Sequence, residues 1–352
     1  MNGEKRPPPQ YLLWELTLRC NCRCTHCAAA GGKPRKNELS TEEAIDLCAQ
    51  IAALEVGSVC LMGGEALLRP DWDRVALRLR ELGVAALGLV TNGIALNDDA
   101  WRRLEILGFC QVVISLDGTT PDVVDRRRGR TGALAAAQHA IEEMAARPME
   151  HRTVVTSVDR TNIGQLEPVR DWLVDHAPGI TWTINFASPA PGSRMARSDA
   201  IDAGDFLRLA RFIAESRAAL AGRIDVTGTH SLGHCSRRFP NLHNYQWQGC
   251  EAGLSTVGIR SDGDVTGCLV LGGDFIEGNV RKRPLSDLWH DPRGFSYNRA
   301  FSTQMLQGEC RGCEHGEVCR GGCREAAVAY SGNPFEAPFC LHRMEQRGEV
   351  DL

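Results

Sequence analysis

Cys20-Asn21-Cys22-Arg23-Cys24-Thr25-His26-Cys27 follows directly on the apolar run Leu12 to Leu18, and its reading decides the rest of the chain. A run of strand length that hands over to thiols at positions 20, 24 and 27 sets three soft ligands at the C-terminal end of a first strand. Three thiolates leave one corner of a cubane iron–sulfur cluster open, whereas a structural zinc site takes four ligands, and Cys22 or His26 could supply the fourth. The spacing by itself admits either metal.

Working outward, the chain from Leu12 to about Val226 alternates short apolar runs with amphipathic stretches of helical period. Strands are expected at Leu12 to Leu18, Ser58 to Met62, Ala86 to Val90, Gln111 to Leu116, Thr153 to Val158 and Thr181 to Phe186. The first helix opens at Ser40 with Glu43 three residues on, a capping box. Further helices are expected near Asp71 to Leu82, Asp98 to Leu107, Ala133 to Ala146, Ile163 to His176 and Ala203 to Ala221. Six strand–helix units are too few to close an eight-fold barrel. The expected fold is therefore α/β, a partial (β/α)6 TIM-type barrel over 12–227 after a tail of 1–11, with its chemistry on the loops after the strands.

Three short stretches stand at that rim: Gly63-Gly64-Glu65, Thr91-Asn92-Gly93 and Ser115-Leu116-Asp117-Gly118. Glycines there expose backbone groups to a ligand, a carboxylate can hold an ammonium or ribose hydroxyls, and Arg128 can take a carboxylate. Past Gly228 the rhythm stops and Gly, Cys and turn signals take over. Ser255 to Ile259 and Val265 to Val270 read as a hairpin through Asp262-Gly263, and Leu285 to His290 as a short helix. Gln304 to Glu325 has too little apolar periodicity for a core but carries four cysteines, so metal should hold its shape.

The chain has 352 residues, is 43% hydrophobic and 24% charged, and carries a formal charge of -4, which excludes the basic surplus of a nucleic-acid or anionic-membrane binder. Met1 to Gln10 is charged and holds Pro7, Pro8 and Pro9 where a signal peptide needs an apolar core, so a cytoplasmic location is expected. Fifteen cysteines are then out of place as disulfides and point to metal.

At these residues the chain resembles the radical S-adenosylmethionine superfamily, from about Leu13 to Pro191. The resemblance implies that Cys20, Cys24 and Cys27 bind a 4Fe-4S cluster whose open iron is chelated by S-adenosyl-L-methionine. Gly63, Gly64 and Glu65 would receive its amino group, Ser115 and Asp117 approach the ribose, and Arg128 the carboxylate. Asn92, the Pro189 to Gly192 loop, and His26 at the position before the third cysteine complete the implied cofactor contacts.

Late in the chain, Cys250, Gly263, Cys268, Cys310, Cys313, Cys319, Cys323 and Cys340 match the seven-cysteine pattern of the SPASM domain, a small Cys-rich α+β extension placed here at 228–345 before a tail of 346–352. By that resemblance two auxiliary 4Fe-4S clusters are bound. Cys310, Cys313, Cys319 and Cys340 would hold one, and Cys250, Cys268 and Cys323 the other, completed by Cys235 or left with an open iron. Of the remaining thiols, Cys22, Cys48, Cys60 and Cys110 read as small buried apolar residues, with Cys60 a candidate hydrogen-atom donor to a substrate radical. His230, His234, His243 and the arginines around Arg128 read as solvated.

Relatives of this type mostly crosslink, oxidise or epimerise ribosomally made peptides, so a peptide maturase is expected, with an electron donor such as flavodoxin or ferredoxin. Trp14 to Thr17 and Gly249 to Gly253 also resemble a subgroup associated with peptides bearing a Gly-Asp-Leu motif. The first strand begins by Leu12, leaving no room for a leader-binding winged helix, so a separate recognition protein is one expectation. A small-molecule dehydrogenase or epimerase acting on an aminoglycoside or sugar is the alternative. A non-catalytic zinc scaffold is the reading from another class.

Overall fold

The computed structural model describes residues 6–233, 236–240 and 242–350. In chain order it runs β1 (Tyr11–Thr17), α1 (Thr41–Ala53), β2 (Ser58–Gly63), α2 (Trp72–Glu81), β3 (Ala86–Thr91), α3 (Asp98–Ile106), β4 (Gln111–Ser115), α4 (Pro121–Arg128), α5 (Ala133–Ala145), β5 (His151–Val158), α6 (Leu166–His176), β6 (Thr181–Phe186), α7 (Ala203–Ala219) and β7 (Asp225–Gly228). It continues with β8 (Thr256–Ile259), β9 (Asp264–Thr266), β10 (Ile276–Asn279), α8 (Leu285–His290), α9 (Ser296–Arg299), α10 (Gly316–Cys319), α11 (Arg324–Ser331) and α12 (Leu341–Gln346). Two compact units form, one from residues 1–22, 31–112 and 251–300, the other from 23–30, 113–250 and 301–352.

In the first unit β1 is paired on both edges. It lies parallel to β2 from Tyr11↔Ser58 to Glu15↔Met62, and parallel to β8 from Tyr11↔Thr256 to Trp14↔Ile259. β2 pairs parallel with β3, while β8, β9 and β10 follow as an antiparallel ribbon. A strand so enclosed must be buried on both faces, and Leu12, Trp14, Glu15, Leu16 and Thr17 all are. Glu15 meets that cost through Arg35, whose Nε and Nη2 donate to its carboxylate at 2.8 and 3.1 Å, and through the Ser261 N–H and hydroxyl at 3.1 and 2.8 Å. Helix α1 starts at the predicted capping box: Ser40 Oγ accepts from Glu43 N–H at 3.2 Å and Glu43 accepts from Ser40 N–H at 2.8 Å. It turns Ala44, Leu47, Cys48 and Ile51 inward.

The second unit has β5, β6 and β7 in parallel register, Thr153↔Thr181 and Thr181↔Asp225. Helices α5, α6 and α7 bury Ala137 and Ile141, Val169 and Leu173, and Phe206 and Leu209. No helix among the described residues is long and apolar enough to cross a membrane.

Several expectations change. β7 is a seventh parallel strand that the sequence hid, because Asp225-Val226-Thr227-Gly228 is short and half polar. Helix α4 was equally hidden: Pro121 opens it and three arginines close it, so no apolar stripe marks it. The strand expected at Val265 to Val270 stops at Thr266, where the Thr266 hydroxyl donates to the carbonyls of Cys268 and Leu271 at 3.2 and 3.1 Å and turns the chain. His243, read as solvated, is buried between the Gly228 and Gly233 carbonyls at 3.1 and 3.0 Å. His234 and Cys235 lie outside the described residues. Between Gln304 and Arg324 the chain forms only single turns and the four-residue α10, as a segment without a core of its own should.

Candidate functional site

In the first unit the loop after β1 closes on itself, with Cys20 N–H donating to Gly32 O at 3.1 Å and Gly32 N–H to Leu18 O at 2.9 Å. The end of β2 presses against it. Gly64 N–H donates to Thr17 O and Glu65 N–H to Arg19 O, both at 2.8 Å. A Cβ on Gly63 would sit 2.2 Å from Thr17 O, and one on Gly64 2.4 Å from both Leu18 O and Arg19 O, so only glycine fits at either place. Glu65 is buried and serves as a strut: its carboxylate accepts from the Thr91 hydroxyl at 3.0 Å and from Asn92 N–H at 2.9 Å, tying the end of β3 to the end of β2. Asn92 carries the tie onward, its amide donating to Asn21 Oδ1 at 2.7 Å and lying 3.8 Å from Cys20 Sγ. Hydrogen bonding from Cys22, whose N–H is 3.4 Å from Cys20 Sγ, outweighs burial and brings the Cys20 thiol down to about 7. That poises it to ionise and take up a metal near neutral pH.

In the second unit the loop bearing Cys24 and Cys27 is fastened by its backbone. Arg23 N–H donates to Arg128 O at 2.9 Å, Thr25 N–H to Arg127 O at 2.8 Å, and Cys27 N–H to Cys24 O at 3.3 Å. Behind it lies a buried ionic cluster. Asp117, just past Ser115 at the end of β4, accepts from Arg128 Nη2 at 2.6 Å and from Ser157 N–H at 3.1 Å, and lies 3.6 Å from His26 Nε2. Burial opposes its charge, but Arg128, His26 and Arg127 prevail and hold the carboxyl below the ordinary range. Burial also pushes His26 down to about 4, against the pull of Asp117, so its imidazole is neutral at pH 7. Arg127, expected on a solvated face, is instead buried beside Asp159 and donates to Thr161 Oγ1 at 2.8 Å and Ser157 O at 2.7 Å. Nothing in the motif flags Arg127, since a run of arginines on a polar helix normally faces water.

The late cysteines of this unit converge. Cys310, Cys313, Cys319 and Cys340 line one cavity together with His315 and His342. Burial pushes the Cys319 thiol up to about 12 and raises Cys310 and Cys340, each aggravated by its neighbours' sulfur charge. These three thiols are costly to ionise alone, and with Cys313 they line one cavity suited to a cation they share. Ala337 N–H points at Cys310 Sγ from 3.4 Å, and the Gly321 and Gly322 N–H groups turn toward Cys319. Donors onto sulfur suit an iron–sulfur cluster, whose potential they tune. Cys250 and Cys323 stand apart from this cavity, beside the fully buried guanidinium of Arg324, which also donates to Pro334 O at 2.8 Å. Cys268 follows β9 in the first unit. Of the other thiols, Cys22 is buried, Cys48 S–H faces Ala44 O at 3.2 Å, Cys110 faces Leu87 O at 3.3 Å, and burial pushes Cys60 up to about 12.

Residues 14–173 match the radical SAM superfamily and residues 250–314 the SPASM iron–sulfur cluster-binding domain. The chain is 31% identical over 341 residues to the mycofactocin maturase MftC of Mycobacterium ulcerans (strain Agy99), covering 94% of this chain and 86% of that one. The chain belongs to the radical SAM superfamily. This radical SAM enzyme is also 26% identical over 348 residues to an AdoMet-dependent heme synthase of Methanosarcina barkeri, covering 95% of this chain and 97% of that one. Its fold is that of Streptococcus suis SuiB, solved bound to precursor peptide SuiA, with a TM-score of 0.75, 18% identity, and coverage of 94% and 75%. The expected partial barrel of TIM type with a C-terminal SPASM domain is therefore the fold. S-adenosylmethionine and a 4Fe-4S cluster, with auxiliary clusters in the SPASM part, are its cofactors, which removes the zinc scaffold reading.

The residues present fit these groups. The cavity offers four thiols, the soft donor set that iron–sulfur clusters take, with the imidazoles of His315 and His342 beside them. His26 Nδ1 is buried without a hydrogen-bond partner, an unsatisfied atom that a nitrogenous ring beside it would satisfy.

Proposed function

We propose that this radical SAM enzyme matures a ribosomally synthesised peptide by hydrogen abstraction, ending in a crosslink, an oxidation or an epimerisation. The observation that carries this reading is the 31% identity to a mycofactocin maturase along 94% of the chain. In it Cys20, Cys24 and Cys27 hold the catalytic cluster, Cys310, Cys313, Cys319 and Cys340 one auxiliary cluster, and Cys250, Cys268 and Cys323 the other, with Cys235 or an open iron. When bound, the catalytic cluster and S-adenosylmethionine together supply removal of a hydrogen atom from an unactivated carbon, leaving methionine and 5'-deoxyadenosine.

The chain's own residues hold and orient. Gly63 and Gly64 let the β2 end approach the cysteine loop, and Glu65 and Asn92 fix that rim for the methionine end of the cofactor. Asp117 and Ser115 face the ribose in this reading, Arg128 the carboxylate. Arg128 is already paired with Asp117, so it would act by setting that carboxylate's position as much as by direct contact. Neutral His26 offers its free ring nitrogen to the adenine. Cys60, protonated at neutral pH, keeps the S–H that a hydrogen donor needs. The radical SAM barrel is assigned to 12–227 and the SPASM domain to 228–345. A flavodoxin or ferredoxin as electron donor, a separate leader-binding protein and a cytoplasmic location complete the proposal.

Anaerobically reconstituted enzyme given reductant, S-adenosylmethionine and the short peptides encoded beside its gene should release 5'-deoxyadenosine and change the mass of one peptide. Cys24→Ala should reduce both to background. Cys313→Ala should impair peptide modification more than cofactor cleavage. The heme synthase relative, matched over 97% of its length, favours a tetrapyrrole as the second reading. Turnover of an iron porphyrin precursor with every peptide left unchanged would replace the first reading by the second.

A further inference from the structure

The loop that carries Cys24 and Cys27 receives one side chain from a distant part of the second unit. Arg194 lies beyond β6, after a turn closed by Ser193 N–H to Ala190 O at 3.0 Å. Its N–H donates to Cys27 O at 3.1 Å, and its Nη1 donates to Cys24 O at 2.9 Å. The next residue, Met195, is buried with Ala187 and Ala200, which anchors the backbone from which Arg194 departs. Two carbonyls, one from each cysteine, are thus fixed by one residue.

We propose that Arg194 is a positioning residue for the iron–sulfur cluster, locking the backbone at Cys24 and Cys27 and standing as a fixed positive charge behind their thiolates. The proposal rests on the assignment of Cys24 and Cys27 as cluster ligands. Fixing a residue's carbonyl fixes its peptide plane and so restricts the direction of its Cα–Cβ bond, which sets where each sulfur points. A guanidinium keeps its charge at every working pH. Cluster potentials depend on net charge and nearby donors, so a cation favours the reduced and more negative form. Lysine at this place keeps the charge but lacks the planar fork.

The test uses cluster-loaded Arg194→Gln and Arg194→Lys enzymes, read by electron paramagnetic resonance after reduction. The signal followed is the one whose g-values change when S-adenosylmethionine is added, since only an open iron responds. In Arg194→Gln this signal should titrate at a more negative potential than in the parent, with altered g-values. Arg194→Lys should recover much of the potential while keeping altered g-values. Loss of that signal alone, with the auxiliary-cluster signals and thermal melting intact, also supports the role. If Arg194→Gln does not fold, Arg194→Lys decides by its g-values. Parental potential and g-values in the variant that folds would overturn the proposal. A responsive signal that survives Cys24→Ala would instead overturn the ligand assignment on which it rests.

Discussion

Arg127 and Asp159 show how much one pair of side chains can matter here. Both are buried, and the guanidinium additionally feeds the Ser157 carbonyl and Thr161 hydroxyl while its own carbonyl receives Thr25 N–H. Arg127→Ala strands a buried carboxylate, and the expected loss is ~3–5 kcal/mol, read as a lower denaturant midpoint. The paired change Arg127→Met with Asp159→Leu should cost less than the sum of the single changes, because no unpaired charge is left. A sum that is simply additive would mean the two groups do not sense each other. At this scale the sequence disclosed residue types better than environments. The cysteine spacing and Gly63-Gly64-Glu65 stand out of any reading, whereas burial of Arg127 and of Arg324 follows only from contacts made after folding.

Between elements, the tightest passage is the end of β2 against the loop after β1. Gly64 has no room for a Cβ, with two carbonyl oxygens 2.4 Å from where it would lie, so Gly64→Ala must push the cysteine loop away. The expected penalty is ~1–3 kcal/mol with weaker binding of S-adenosylmethionine, measured by thermal melting and by equilibrium dialysis. Gly164→Ala, with nothing within 4 Å of its Cβ, is the control and should leave both unchanged. Equal behaviour of the two variants would show that the close approach is not needed. The glycine pair was legible as a rim motif because it stood in phase with the strands. Its packing reason was not, since the partner carbonyls belong to an unrelated stretch of chain. Elements with strong periodicity, such as α1 with its Ser40 cap, were legible to within a residue or two. β7 and α4 lacked any apolar period, and tertiary pairing alone makes them regular.

For the molecule as a whole, the late segment is expected to depend on metal for its shape. Four cysteines face one cavity, and from Gln304 to Cys323 the chain around them makes only single turns and the four-residue α10. Removing iron anaerobically with a chelator should open residues 304–340 to limited proteolysis while α5 and α6, packed on their own apolar faces, stay protected. An identical cleavage pattern with and without iron would show that packing suffices. The composition change near Gly228 was plain in the sequence, but the compact units draw on residues from both sides of it. One such crossing is the pairing of β1 with β8, sealed by Ser261 on Glu15 across 246 positions of chain. During synthesis on the ribosome, β1 emerges well before β8 and then waits, one edge bare and its carboxylate met by Arg35 alone, until Thr256–Ile259 follows. A nascent chain that stalls before Thr256 offers that open edge to any other strand, so production is most exposed to misassociation while translation is still under way.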